Sequence, residues 1–181
     1  HSDPRTLAVT ASLLGVQRDA GEFDAVERGS RQLLTALEQV PGARASDFAQ
    51  AHALLGKALS SSGKLDEAVT HLTKARDLFA QVEGNDGIDE LSVRHSLLVL
   101  TLRRGLYAEG ERLARELLAQ ERRVLGPQHD QTLSTASVLG SILNVSDNLA
   151  AAEPILCEVL DEIRARYGDA HLRTLHPKRV L

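Results

Sequence analysis

The sequence predicts an all-α solenoid of antiparallel helix pairs, and three observations carry that prediction. Residues suited to a tight turn recur at one interval: Gly21, Gly63, Gly105 and Asp147 each stand 42 residues beyond the last. Apolar residues flank every turn at three- and four-residue spacing, the period of a helix. The residues after the turn alternate large and small in the same columns of every copy. Four turns in one register mark a single supersecondary unit copied along the chain, and a period of this size belongs to stacked repeats.

The elements follow in order. The first pair is expected over 5–20 and 23–39, with Leu13 and Val16 on the apolar face ahead of the turn. The second is expected over 46–62 and 65–82, the third over 88–104 and 107–124, the fourth over 131–146 and 149–166. Their apolar faces use Leu55, Ala58 and Leu59, then Leu97 and Leu100, then Leu139, Ile142 and Leu143. Glycine reaches a left-handed turn conformation without a steric penalty, and aspartate does so more readily than most residues. A large residue follows each turn (Phe23, Leu65, Tyr107, Leu149) and a smaller one comes three later (Val26, Ala68, Gly110, Ala152). That alternation lets two helices approach closely. Leu33, Ala75, Leu117 and Val159 share a further column on the second helices.

The loops between pairs are periodic as well. Thr6-Leu7, Thr132-Leu133 and Thr174-Leu175 share one register, and polar residues precede each. A polar residue ahead of an apolar face suits a helix start. The repeats therefore run over about 3–44, 45–86, 87–128 and 129–170, in one continuous array over 1–181, with 171–181 opening a fifth helix. Because a short terminal helix needs a neighbour, this segment is expected to dock on the fourth pair or to fray.

Composition narrows the class. At 43% hydrophobic and 25% charged residues the chain reads as folded, not disordered. The aromatic content of 3% leaves the core to Leu, Val and Ala. A net charge of −4 disfavours nucleic acid and anionic membranes as partners. No apolar run is long enough to span a bilayer and no secretory signal is visible. Cys157 is the single cysteine, so no disulfide can form within the chain. The chain begins at His1 and reads as a piece of something longer, with a cytoplasmic setting expected.

These columns resemble the tetratricopeptide repeat (TPR). Leu55-Gly56 and Leu139-Gly140 match its Leu-Gly step; the turn glycine, the large residue after it and the small one three on match its second-helix opening. The usual repeat has about 34 residues. The longer period, Leu125-Gly126-Pro127-Gln128-His129 before Thr132-Leu133, and Ala152-Glu153-Pro154-Ile155-Leu156 are similar to the kinesin-light-chain type. HEAT and armadillo units share a period of this size but not the turn and Leu-Gly columns. The polar Asn pair common in the kinesin-light-chain type is missing: Ser137-Val138, Ala53-Leu54, Ala11-Ser12 and His95-Ser96 stand there. The resemblance implies a right-handed superhelix whose first helices line a concave groove for a partner segment.

The residues expected in that groove are Arg18, Lys57, His95, Arg103, Ser137, Ser141 and Asn144. Lys57, His95 and Arg103, with Arg94 and Arg104 nearby, would give a basic centre on an acidic protein. Such a centre suits an acidic or carboxylate-bearing peptide, with Arg103 as a bidentate contact and Lys57 as a point charge. The alternative is a solvated polar face, the usual state of charged residues on a helix. The chaperone-tail clamp of some TPR domains is not expected, because Ala11 and Gly15 occupy its positions.

No other chemistry stands out. Seven histidines suggest a metal, but His129 and His171 are repeat equivalents, His52, His71 and His95 lie on different helices, and no H-E-x-x-H or paired-Cys motif exists. Cys157 has little basic company to activate it. Asp66-Glu67 and Asp161-Glu162 are sequence neighbours and so point apart on a helix. No cofactor, metal or catalytic group is expected. The function expected is a non-catalytic protein- or peptide-binding scaffold, a regulatory or adaptor segment of a larger protein. The alternative is self-association through solenoid ends or the convex face.

Overall fold

The computed structural model describes residues 4–83 and 87–168, with side chains over 9–82 and 87–168. Eight helices and no strand occur among them: α1 Pro4–Asp19, α2 Phe23–Glu38, α3 Ala45–Ser61, α4 Leu65–Glu83, α5 Ile88–Arg103, α6 Tyr107–Val124, α7 Asp130–Val145 and α8 Leu149–Tyr167. The segment 171–181, expected to open a fifth helix, lies outside the described residues. The chain divides into two compact units, residues 1–100 and 101–181. No described helix is long and apolar enough to cross a membrane.

All four predicted turns close in one way. Gly21, Gly63 and Gly105 have φ of 83°, 81° and 77°, and Asp147 has φ of 59°. Across each turn an amide donates back to a carbonyl five residues earlier: Glu22 to Gln17 at 3.0 Å, Lys64 to Leu59 at 2.9 Å, Leu106 to Thr101 at 3.2 Å, Asn148 to Leu143 at 2.8 Å. This is the Schellman closure, which satisfies carbonyls orphaned at a helix end and needs a left-handed residue to do it. Two helix starts are pinned by side chains. The Asp47 carboxylate accepts from the Arg44 amide at 3.3 Å and the Arg44 guanidinium at 2.8 Å. His129 Nδ1 accepts from the Gln131 amide at 3.2 Å, and Thr132 Oγ1 donates to the Gly126 carbonyl at 2.8 Å.

In the first unit, Leu14, Leu33 and Leu37 pack with Ala51 and Leu54, so α3 seats on the first helix pair. A second cluster joins Leu55 and Leu59 of α3, Leu72 and Phe79 of α4, and Val93 and Leu100 of α5. Burying Phe79 alone contributes on the order of 2 kcal/mol. The expected column of Leu33, Ala75, Leu117 and Val159 is buried throughout, as are Val26, Ala68, Gly110 and Ala152. A Cβ on Gly110 would stand 2.4 Å from Leu102 Cδ2, the close approach that the large–small alternation implies.

One expected apolar face is not buried. Leu13 and Val16 on α1 are exposed, as is Val9 beside them. The pattern identified an apolar face correctly, but no described residue covers it.

Candidate functional site

The first unit contains a cleft of about 220 Å³ between α1, α3 and α5. Arg18, Gln50, Lys57, Asp89 and Ser92 supply its polar lining, over a floor that includes Ala53, Leu54, Phe79 and Val93. The helix repeat accounts for this company. Gln50 and Lys57 are two turns apart on α3, and Ser92 is the 42-residue equivalent of Gln50 on α5.

Lys57 is the group of most interest. It is half-buried, and its Nζ donates to Ser92 Oγ at 3.0 Å. Ser92 is its one described hydrogen-bond partner, and among the described residues no carboxylate stands within ion-pair distance of Nζ. Burial, and next the charge of Arg18, push the ammonium below its usual range, and the charges of Asp89 and Asp19 oppose them. Arg18, by contrast, is paired with Asp19 at 2.7 Å. His95 is half-buried on α5, and burial followed by the charge of Lys57 holds it below the usual imidazole range. Arg94 approaches Glu90 at 3.9 Å. Three of the predicted groove residues, Arg18, Lys57 and His95, thus belong to the first unit; Arg18 and Lys57 line its cleft, and His95 is not among the lining residues. Ser92, Gln50 and Asp89 were missed by the sequence reading, although the polar column of Gln50, Ser92 and Ser134 is visible in the repeat.

The remaining four lie in the second unit. Arg103 is exposed at the last residue of α5, and Asn144 is half-buried on α7. Ser137 and Ser141 line a larger cleft of about 630 Å³, a size usual for ligand sites. Its walls are mostly apolar: Leu102, Val138, Ile142 and Val145 with Val159 and Ile163 of α8. Tyr107 and Tyr167 also line it. Ser141 Oγ donates to the Ser137 carbonyl at 2.9 Å, which leaves its lone pairs as acceptors. At the rim, Asp130 is held by Arg166 at 2.9 Å.

His52 and His71 lie on different helices, α3 and α4, as expected, but the turn at Gly63 folds α4 back on α3 and brings their Nδ1 atoms to 2.9 Å. One ring must present Nδ1–H and the other a bare Nδ1, so the pair requires opposite tautomers. Burial, then the charges of His71 and Lys74, pushes His52 down to about 4. His71 is lowered by burial, Lys74 and Arg31, with Glu67 opposing. Among the described residues no group of three or more metal-ligating side chains converges. Cys157 is exposed on α8.

Charge pairs tie second helices together within each unit. Glu27 accepts from Lys64 at 3.0 Å and from Arg31 at 3.1 Å, and Arg31 reaches Glu67 at 2.7 Å. The bond from Lys64 draws the Glu27 carboxyl below its usual range despite opposing desolvation. In the second unit Arg122 meets Glu158 at 2.7 Å, and Arg166 donates to the Gln128 carbonyl.

No protein-family model and no curated protein matches the chain. Solved structures do. BtubC (BKLC) from P. vanneervenii superimposes with a TM-score of 0.80 at 15% identity, over 98% of this chain and 74% of that one. A Podosopora anserina chain of nearly identical TPR-like repeats of the kinesin-light-chain kind superimposes with a TM-score of 0.79 at 16% identity, over 100% and 86%. A substituted form of the latter gives 0.79 at 17% identity. The fold is therefore an all-α, TPR-like repeat of helix pairs.

Proposed function

We propose that the chain is a non-catalytic protein-binding module, and that the cleft of its first unit holds a carboxylate of an acidic partner segment against Lys57. The observation that carries this reading is the half-buried Lys57 ammonium, whose described partner is one neutral hydroxyl. A partly desolvated cation gains more from an anion than a fully hydrated one does, because burial has already removed part of its hydration. Arg18, paired with Asp19, and Asp89 flank the same cleft, so Lys57 is the cation in its lining without a carboxylate at ion-pair distance, and Gln50 and Ser92 add hydrogen-bonding groups beside it. The floor of Ala53, Leu54 and Phe79 suits an apolar residue next to the acid.

The test is fluorescence anisotropy with labelled acidic peptides, each as the free carboxylate and as the amide. Carboxylate forms are expected to bind more tightly, and Lys57→Gln to weaken them about tenfold or more, the usual worth of a charge-assisted hydrogen bond. Lys57→Arg should retain part of the affinity. Equal binding of acid and amide, or no loss in a Lys57→Gln protein of unchanged helicity, would refute the assignment.

A further inference from the structure

The imidazoles of His52 and His71 meet at a distance that suits metal chelation as well as a hydrogen bond. Their Nδ1 atoms are 2.9 Å apart, with ring centroids at 5.1 Å and planes 31° from parallel. The rings therefore face each other edge to edge, each with Nδ1 at the near edge. Packing between α3 and α4 holds them there. Leu55, Leu59, Leu72 and Phe79 join the two helices in one cluster. Leu72, the neighbour of His71, presses on Gly56, one turn beyond His52. The spacing of the two nitrogens is thus tied to the closest approach of the helix pair.

An imidazole nitrogen binds a first-row divalent metal at about 2.0 Å, so two donors 2.9 Å apart subtend about 90° at the ion. That is the angle between neighbouring positions of a tetragonal or octahedral centre. A tetrahedral ion would hold the same donors about 3.3 Å apart. Imidazole ligands at right angles suit Cu(II) and Ni(II), and copper stands highest in the affinity order. Each lone pair must turn about 45° off the Nδ1–Nδ1 line, to a common side, and the broad χ2 torsion of histidine supplies that turn. The rings are half-buried, so water reaches the pair and can complete the coordination. Burial holds both rings below the usual imidazole range, which keeps them neutral at pH 7, the form that ligates. The ring that carries Nδ1–H passes that proton through solvent to its own Nε2, so both rings stay neutral and no proton is lost.

The surrounding charges are mixed. Lys74 on α4 and Arg31 on α2 oppose a cation here, and Glu67 on α4 favours one. Arg31 is already paired with Glu67 at 2.7 Å and Glu27 at 3.1 Å. Lys74 is exposed, so salt and water screen its repulsion.

We propose that His52 and His71 form a two-imidazole site for Cu(II), and more weakly for Ni(II), with water in the remaining positions. It is independent of the Lys57 cleft, since neither histidine lines that cleft.

Titration of the full chain with Cu(II), followed by electron paramagnetic resonance, tests this. One equivalent should bind first, with hyperfine splitting from two imidazole nitrogens. His52→Gln and His71→Gln should each weaken that site at least about tenfold, since losing even a supporting partner of a metal ligand costs roughly 10–100-fold. His129→Gln, at an exposed histidine of the second unit, should leave it unchanged. Lys74→Gln and Glu67→Gln keep both rings and serve if a ring variant does not fold. The first should tighten copper binding and the second loosen it, each about two- to fivefold. A spectrum with a single imidazole nitrogen, or unchanged affinity in either ring variant at normal helicity, would overturn the proposal. So would equal binding by the His52→Gln, His71→Gln double variant, which would mean an adventitious ion only, or equal affinities of the Lys74→Gln and Glu67→Gln proteins.

Discussion

Leu72 fills the notch left by Gly56: a Cβ added to Gly56 would stand 2.6 Å from Leu72 Cγ and 3.1 Å from its backbone nitrogen. The same relationship holds between Gly140 and Leu156, where the distance to Cγ is again 2.6 Å. The Leu-Gly step of these repeats is therefore a steric matter. It lets the second helix press a leucine directly onto the backbone of the first.

Gly56→Ala should accordingly destabilise the protein. Overpacking costs about 1–3 kcal/mol, while removing a glycine from a helix returns at most about 1 kcal/mol. The close atom is a branch point next to backbone, so it cannot swing away. Gly15→Ala makes the opposite case, because nothing lies within 4 Å of its added Cβ. It should stabilise by about 0.5–1 kcal/mol. Thermal denaturation followed by circular dichroism should move the two melting temperatures in opposite directions. A fall for both would show that the face of α1 at Gly15 is covered.

The imidazole pair makes stability depend on pH. His52 titrates at about 4 in the folded chain against 6.5 for the free side chain, and His71 is lowered too. Between those values the unfolded chain binds more protons, so stability falls as pH drops from about 6.5 towards 4 and is fully present above that window. For His52 this amounts to about 1–2 kcal/mol, allowing for partial solvent screening. A second proton on the pair would also set two N–H groups face to face. Urea unfolding at stepped pH should show the slope, and His52→Gln should flatten it. An unchanged slope in that variant would place its origin elsewhere.

Asp147 is the one described non-glycine residue with positive φ. It occupies the turn column that glycine fills in the other three copies. Asp147→Gly should stabilise by up to about 1 kcal/mol, and Asp147→Val should destabilise by about 1–2 kcal/mol, the left-handed penalty for a residue that tolerates it poorly. Urea midpoints of the two variants give the comparison directly. Similar midpoints would mean that this turn relaxes to another conformation.

The helix pairs were legible because periodicity and steric signals agree in every copy. All eight helices fall within a residue of their expected bounds, as at α6, which spans Tyr107–Val124 as expected. The turn residues were legible for the same reason: a backbone that needs a left-handed residue shows itself as a column of glycines. The site was less so. His52 and His71 share their columns with Thr10, Arg94 and Ala136, and with Gly29, Leu113 and Ile155, so nothing periodic singles them out. Their meeting depends on how far α4 slides along α3, which packing decides. The Lys57–Ser92 bond was missed because the groove columns were traced without the column of Gln50. The bare face of α1 has a different cause. An apolar stripe records that a helix can be covered, whereas exposure depends on which neighbours are present.

The chain has no tryptophan and two tyrosines, Tyr107 and Tyr167, and both line the larger cleft. Its tyrosine emission therefore arises wholly from that cleft. A molecule entering the space changes the surroundings of both tyrosines, and one bound anywhere distant changes neither directly. Occupancy of this cleft can be followed in unlabelled protein, with silence from the tyrosines pointing to binding elsewhere.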